Sequence, residues 1–211
     1  MSRDSQPIVP ELSAIRLGAV ADVYAGIGVS RETTHEQPEA QMSVIGVRDL
    51  QDGAVAPTPA LDTIGFASPT RAEGYAVRTD DVLVTGRGTL LKFGLVGPET
   101  AGAIASGNII VVRAKPAAVG GALLAILSSD AFRPQVELLR RGATTLLSLS
   151  PKDLANLEIA LPPLAEQHRI ASLLSEAQSA YRTALDAAEM RRTLARRIID
   201  TRLFGAKSNR R

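Results

Sequence analysis

The sequence predicts an α+β fold, in which a globular mixed α/β domain is followed by one long C-terminal helix. Short apolar runs rich in β-branched residues, such as "VLVT" (82–85) and "NIIVV" (108–112), are typical of buried strands. The segment 120–142 has apolar residues at helical spacing. After Leu164 proline no longer occurs, and a helical pattern continues as far as Phe204.

The first 70 residues predict short strands separated by loops. We expect a strand near 14–17, then a strand or helical turn at 20–24, and a compact strand at 42–50 that ends in the "QDG" turn. The polar segment 26–41 and the proline-rich segment 54–70 both predict surface loops.

The middle of the chain gives sharper signals. We expect strands at 75–78 and 82–85, with an acidic turn at Asp80 and Asp81 between them. The glycine-flanked tip Gly86-Arg87-Gly88 then leads into a strand-like segment that ends at Val96.

The segment that follows predicts a strand, a helix and a return to the sheet. The run "GNIIVVRAK" (107–115) predicts another buried strand. The helix at 120–142 is expected to break near Pro134 and to stop at Gly142. A strand, a short helix from Ser150 to Asn156 that is capped by its Ser-Pro start, and a last strand up to Leu161 complete the domain.

The segment from Leu164 to Phe204 predicts a single helix of 41 residues, about 60 Å long. A helix of this length needs a partner along its apolar face, since packing supplies most helix stability. Arg191 and Arg192 interrupt the apolar stripe, which resumes at Ala195 and continues through Ile199. The predicted contact residues are Ile170, Leu174, Ala177, Tyr181, Leu185, Ala188 and Ile198.

The segment "LPPLAEQ" (161–167) predicts a stiff elbow between the domain and the helix. Pro162 cannot donate a ladder hydrogen bond and therefore ends the last strand. Pro163 suits the first turn of a helix, where its fixed φ is already helical. Glu166 falls where the helix dipole favours a negative charge.

Composition excludes several classes of protein. Of the 211 residues, 45% are hydrophobic and none is cysteine, so disulfides and thiolate metal sites are excluded and a reducing cytoplasm is expected. Neither a signal peptide nor an apolar run near ~20 residues occurs. We expect a cytoplasmic protein that does not associate with a membrane.

The sequence lacks a convincing catalytic constellation. Gly86-Arg87-Gly88 lacks the third glycine of a dinucleotide-binding turn, since Leu91 holds that place. His35 and His168 are far apart in sequence, which disfavours a metal site or a catalytic triad. Asp80 and Asp81 are adjacent and do not suit acid–base catalysis as a pair. The chain is therefore interpreted as a protein that binds rather than reacts.

Several segments resemble the specificity subunit of type I restriction–modification enzymes. The C-terminal segment "LLRRGATTLLSLSPKDLANLEIALPPLAEQHRIASLL" (138–174) is similar to the end of a target recognition domain, including its "PPL-x-EQ-x-x-I" elbow. Upstream, "DDVLVTGRGT" (80–89), "GNIIVVRAK" (107–115) and "IRLGAVADVYAGI" (15–27) resemble earlier parts of such a domain. The resemblance covers nearly the whole chain.

The resemblance implies a division of labour along the chain. Residues 1–162 would form a DNA-binding target recognition domain, 163–204 a helix for dimerisation, spacing and partner docking, and 205–211 a flexible basic tail. Such subunits typically carry two recognition domains and two long helices, whereas this chain has one of each. A homodimer would restore the arrangement and read a bipartite, two-fold symmetric target in double-stranded DNA.

The resemblance also implies partners that supply the chemistry. Modification subunits would carry out S-adenosylmethionine-dependent methylation, and a restriction and translocation subunit would use ATP and Mg²⁺ for cleavage. We expect no catalytic residue, metal or cofactor in this chain itself.

The residues that read DNA are predicted to be basic and polar side chains in the expected loops. Arginine pairs with guanine, and short polar side chains contact bases or phosphates. Arg87 is the foremost candidate, because glycines on both sides allow a close approach of the backbone to DNA. The predicted DNA-binding residues are Arg31, Thr33, Thr34, His35, Arg71, Arg87, Thr89, Lys92, Arg140, Arg141, Thr144 and Thr145.

Two other functions remain open from the residues. A dimeric structural or adaptor protein without specific DNA binding is favoured slightly by the net acidic charge of residues 1–181, and steep salt dependence of binding would argue against it. A small-molecule enzyme is disfavoured because the sequence lacks a convincing constellation of catalytic residues.

Overall fold

A computed structural model describes residues 14–28, 41–143 and 146–205. Within these residues the chain forms a strand-rich α+β domain and one long helix, so the predicted fold class is confirmed. The strands are β1 (Ala14–Arg16), β2 (Ala21–Ala25), β3 (Gln41–Ile45), β4 (Leu50–Gln51), β5 (Gly53–Val55), β6 (Asp62–Gly65), β7 (Val82–Thr85), β8 (Arg87–Gly88), β9 (Phe93–Leu95), β10 (Ile104–Ala105), β11 (Ile109–Ala114), β12 (Arg141–Ala143), β13 (Leu146–Ser148) and β14 (Glu158–Ala160). The helices are α1 (Leu17–Val20), α2 (Pro69–Glu73), α3 (Gly120–Ser128), α4 (Arg133–Leu139), α5 (Pro151–Ala155) and α6 (Leu164–Phe204).

A six-stranded sheet forms the main core, with strand order β2-β11-β7-β9-β5-β4. Strand β11 lies between β2 and β7 and is antiparallel to both, so that Val111 lies opposite both Tyr24 and Leu83. All four residues of β7 and the first four of β11 are buried. A strand that is covered on both faces needs an unbroken apolar run, which explains why these two runs lie at the centre of the sheet.

A smaller three-stranded sheet, β10-β3-β6, packs a second cluster around Val44, Phe66 and Ile104. The prediction of a loop throughout 54–70 is wrong here, because β6 pairs with β3 and α2 follows it. Two of the four residues of β6 are exposed, and the segment carries no strong apolar alternation. Pairing with β3, rather than a local pattern, makes this segment a strand.

The predicted strand at 75–78 is also wrong. Within the described residues, its ladder pairing is a single bridge between Ala76 and Ile104. The amide of Arg78 donates to the Asp81 carboxylate over 2.7 Å, and the Ala76 carbonyl accepts from the Arg113 guanidinium over 3.0 Å. The Val77 amide does donate to the Ala103 carbonyl over 2.9 Å, and the Val77 carbonyl accepts from the Gly102 amide over 2.9 Å. The segment is therefore held by a few backbone bonds and two side-chain bonds rather than by a regular strand ladder.

Two predicted boundaries differ from the structure. The strand predicted over 42–50 ends at Ile45, because a turn at Val47–Asp49 redirects the chain and the Asp49 carboxylate accepts from the Gly46 amide over 2.8 Å. Gly142 does not stop a helix, since α4 already ends at Leu139 and Gly142 lies in β12 with a φ of 134°.

The buried helix α3 is capped from a distant turn. The Asp80 carboxylate accepts hydrogen bonds from the amides of Gly120 and Gly121 over 2.8 and 3.1 Å, which satisfies two donors at the helix N-terminus. A Cβ on Gly120 would lie only 1.9 Å from the Asp80 carbonyl oxygen. Glycine is therefore needed where this turn meets the helix.

The start of α6 is fixed by Gln167, whose side chain is buried. Its amide nitrogen donates to the carbonyls of Pro162 and Ala117, and its oxygen accepts from the Val119 amide over 2.9 Å. These bonds join the elbow to the loop that precedes α3. The glutamine of the elbow motif is thus a structural residue.

Helix α6 has the predicted bounds, Leu164–Phe204. The chain divides into two compact units between Ser172 and Leu173, and the first turns of α6 fall in the first unit. Among the described helices, none is both long and apolar enough to cross a bilayer.

Candidate nucleic-acid interface

The three-stranded sheet β12-β13-β8 aligns two arginines across its strands. Ser148 in β13 lies opposite Arg87 in β8 and also opposite Arg141 in β12. Because directly opposed residues point to the same side of an antiparallel sheet, Arg87, Ser148 and Arg141 form one row. All three are exposed.

Leu146 extends this surface along β13. Alternate residues of a strand share a face, so Leu146 lies on the side of Ser148, whereas Leu147 points to the other side and is half-buried. Leu146 is 54% exposed. We call the surface formed by Arg87, Arg141, Ser148 and Leu146 the arginine face.

The arginine face has an unbalanced positive charge. Among the described residues, neither Arg87 nor Arg141 forms an ion pair or a side-chain hydrogen bond. Two strand spacings separate these residues, roughly 10 Å. Like charges at this distance contribute nothing favourable to folding, so the row is suited to binding an anion.

Arg140 holds the hairpin that presents Arg87. Its side chain is 1% exposed, and its guanidinium donates to the carbonyls of Gly88 and Thr89 and to the Glu137 carboxylate. Arg140 was predicted to bind DNA, but the structure buries its guanidinium among these acceptors. Its observed contacts position the hairpin.

Arg133 makes a second contact of this kind from the start of α4. Its guanidinium donates to the Leu91 carbonyl over 2.9 Å and lies 5.8 Å from the centroid of the Phe93 ring. The amide of Lys92, at the far end of the hairpin, donates to the Thr85 hydroxyl over 3.0 Å. Residues 88–92 are therefore held at several points from the protein interior.

The backbone at Arg87 is fixed by the turn at Gly107 and Asn108. The amides of Gly86 and Arg87 both donate to the Asn108 carbonyl, over 2.8 and 3.0 Å, so they do not form a free phosphate-binding turn. Gly107 also lies against Gly28, since an added Cβ would be 3.1 Å from the Gly28 Cα. Gly28 thus lies beside the turn that anchors Arg87.

The predicted DNA-binding residues divide into three groups. The first group lies around β8 and consists of Arg87, Thr89, Lys92, Arg140 and Arg141. Within this group, Arg140 faces inward. Arg71 is exposed on α2, beside the second core cluster, and no described contact links it to β8. Outside the described residues lie Arg31, Thr33, Thr34, His35, Thr144 and Thr145.

The sequence prediction did not include Leu146 and Ser148. The segment "LLSLS" (146–150) does alternate apolar and polar residues over its last four positions, and a period of two predicts that Leu146 and Ser148 share a face. Only the pairing with β8 and β12 places that face beside two arginines.

The acidic pair Asp80 and Asp81 has structural roles. Asp80 caps α3, while Asp81 accepts two hydrogen bonds from Arg113 over 2.9 and 2.7 Å. The hydrogen bond to Asp81 raises the pKa of Arg113, against the lowering effect of burial. Burial raises the pKa of Tyr24, whose ring lies 5.7 Å from the Arg113 guanidinium. These groups form a buried ion pair rather than an acid–base site.

Metal ligands do not cluster in the part of the chain that the structure describes.

A model of the type I restriction modification DNA specificity domain matches residues 44–185, about two thirds of the chain. The chain belongs to this family. The resemblance identified from the elbow and hairpin motifs is therefore confirmed, and the matched region includes the whole arginine face.

Solved specificity subunits share the fold of this family member. The HsdS subunit from Thermoanaerobacter tengcongensis is 21% identical with a TM-score of 0.56, over 94% of this chain and 46% of that one. The S subunit from M. genitalium is 14% identical with a TM-score of 0.61, over 96% and 49%. A chain from a study of the assembly of the type I R-M system is 22% identical with a TM-score of 0.62, over 94% and 47%.

The chain spans slightly less than half the length of these solved relatives. No curated protein matches it. At these identities the solved structures establish the fold alone, and the family model identifies the chain as a DNA specificity domain.

Proposed function

We propose that this chain reads DNA sequence for a type I restriction–modification enzyme and has no catalytic activity itself. The arginine face carries this proposal, because its two exposed guanidiniums are free to bind phosphates or guanine edges. The rigid support of the hairpin by Arg140 and Arg133 favours recognition with a defined geometry. Modification subunits would supply S-adenosylmethionine-dependent methylation, and a restriction subunit would supply ATP- and Mg²⁺-dependent cleavage.

We further propose that two copies pair through α6. Leu185, Tyr181 and Ile198 of the predicted stripe are about half exposed, and Ala177 and Ala188 are exposed as well. Ile170 and Leu174 are half-buried. A helix with this much uncovered apolar surface is stabilised by a partner helix. Pairing would bring two identical recognition domains to a bipartite target in double-stranded DNA.

The apolar surface of α6 is wider than the predicted stripe. Leu173 and Leu194 are 69% and 57% exposed, and at about 100° per residue they lie on a neighbouring face of the helix. One face would pack against the second copy, and the other face would bind a helix of a modification subunit. This arrangement accounts for two apolar faces on one helix.

A binding experiment tests the proposed function. We expect selection from a randomised duplex library to yield a defined sequence, with affinity that falls steeply as salt rises because bound arginines displace counterions. Arg87→Ala is expected to lose about 1–3 kcal/mol of specific binding and to keep its fold. Fluorescence anisotropy measures the affinities, and circular dichroism checks the fold.

Arg169→Ala is the matched control, because it removes the same charge from an exposed arginine that is paired with Glu166 in α6. It should bind the selected duplex like the wild type. Binding that is weak, insensitive to salt and without sequence enrichment would instead support the adaptor function. Equal losses for both variants would remove Arg87 from sequence reading.

A further inference from the structure

Leu146 is an exposed leucine on a surface that is otherwise cationic and polar. Ser148 lies in the row between Arg87 and Arg141, and Leu146 lies two residues before Ser148 in β13. Its neighbours Leu147 and Leu149 turn inward, and Leu149 is almost fully buried. Leu146 is therefore not needed to complete the hydrophobic core.

The charges around Leu146 indicate the kind of partner it contacts. The exposed charged groups of the arginine face are both positive, and the nearby Glu137 carboxylate is already bound by Arg140. Phosphates neutralise such a surface, so a nucleic-acid groove fits it better than an apolar protein surface. In a DNA groove, this exposed leucine is placed to contact an apolar group of a base.

In the major groove the apolar group that distinguishes one base from the others is the C5-methyl of thymine. We infer that Leu146 is a specificity-determining residue that contacts a thymine methyl in the target. This inference rests on the proposed function. Residues two apart on a strand are separated by roughly 7 Å, about two base steps at 3.4 Å each. The thymine should therefore lie within about two steps of the base that Arg87 reads.

Removing the methyl group from the DNA tests this contact directly. After the target is selected from a randomised duplex library, each thymine is replaced in turn by deoxyuridine, and the affinity of the full-length chain is measured. We expect one substitution in the half-site to weaken wild-type binding about fourfold, the equivalent of ~0.8 kcal/mol for one buried methyl-sized group. Leu146→Ala should bind thymine and deoxyuridine duplexes equally at that position.

Leu138→Ala is the control, because Leu138 is 84% exposed on α4 and is not part of the arginine face. It should keep the fourfold response to deoxyuridine. The inference is overturned if Leu146→Ala and wild type respond alike at every thymine, or if the selected half-site contains no thymine within reach. It is also overturned if Leu146→Ala weakens binding of a modification subunit and leaves DNA binding unchanged.

The outcome separates this inference from the proposed function. Suppose that a defined sequence is enriched and Arg87→Ala loses binding, but Leu146→Ala does not change the response to deoxyuridine. Only the inference of a thymine contact would then be rejected. Failure to enrich any sequence would remove both.

Discussion

Two consecutive arginines, Arg140 and Arg141, lie in opposite environments. Arg140 is buried and binds the carbonyls of Gly88 and Thr89, whereas Arg141 begins β12 and is exposed opposite Ser148. A guanidinium can serve either purpose, since its planar fork binds two carbonyls as readily as a phosphate or a guanine. The buried arginine gives the hairpin its shape, and the exposed one contributes charge to the arginine face.

Arg140 should affect DNA reading without touching DNA. Arg140→Ala leaves two backbone carbonyls and Glu137 without their donor, and we expect the free energy of unfolding to fall by about 1–3 kcal/mol. Arg140→Lys keeps the charge but lacks the fork that reaches both carbonyls. We expect this variant to lose specific binding while its nonspecific, salt-dependent binding is unchanged. Urea denaturation and anisotropy measure the two effects.

The ratio of specific to nonspecific affinity distinguishes positioning from direct contact. If Arg140 contacted phosphate, Arg140→Lys would largely preserve specific binding, and Arg140→Ala would weaken binding to all sequences equally. Either result would contradict a positioning role.

At the scale of elements, α6 combines a well-anchored start with an uncovered remainder. Gln167 and the elbow fix its first turn, while from Leu173 onward nine large apolar side chains are exposed. These are Leu173, Tyr181, Leu185, Met190, Leu194, Ile198, Ile199, Leu203 and Phe204. Such a helix is typical of one that is completed by association.

Placing charges on the predicted stripe should separate the copies. Leu174→Glu combined with Leu185→Glu introduces two carboxylates into an apolar contact, where they cannot be solvated. We expect folded monomers, measured by light scattering, with the domain intact by circular dichroism.

A control pair with the same spacing exists on the opposite side of α6. Ser172→Glu with Thr183→Glu adds equal charge eleven residues apart at exposed positions, and it should leave the dimer intact. If the control pair dissociates the dimer and the leucine pair does not, the contact lies on the other face of α6.

For the whole molecule, charge is distributed unevenly along the chain. Residues 182–211 hold nine basic and three acidic side chains, a surplus of six, and the remaining fifteen basic and nineteen acidic groups leave a deficit of four. The basic C-terminal stretch can therefore attract phosphate or an acidic partner.

If two copies pair through α6 as proposed, the two-fold symmetry of the dimer requires two-fold symmetry of its target. We expect the sequence selected by the full-length chain to be an inverted repeat with a spacer that lacks base preference. Sequencing of the selected library measures both the repeat and the spacer length. A single half-site bound by one copy, or two unlike half-sites, would contradict the homodimer while leaving DNA reading by the domain intact.

The sequence by itself determined the elements whose signals are local. The bounds of α6 follow from an unbroken run of helix formers after two prolines, and the Ser150 cap predicted for α5 is confirmed by its bonds to the amides of Lys152 and Asp153. The central strands β7 and β11 follow from apolar runs that suit burial on both faces.

The tertiary structure decided what depends on partners distant in sequence. β6 is a strand because β3 lies beside it, whereas the segment 75–78 pairs with 102–105 through a single bridge and a few backbone bonds. The arginine face exists because β13 pairs with two strands, one of them about sixty residues earlier in the chain. Local periodicity fixes which side of a strand a residue occupies, but it carries no information about the neighbouring strand, so the sequence alone could name Arg87 and could not place Ser148 and Leu146 beside it.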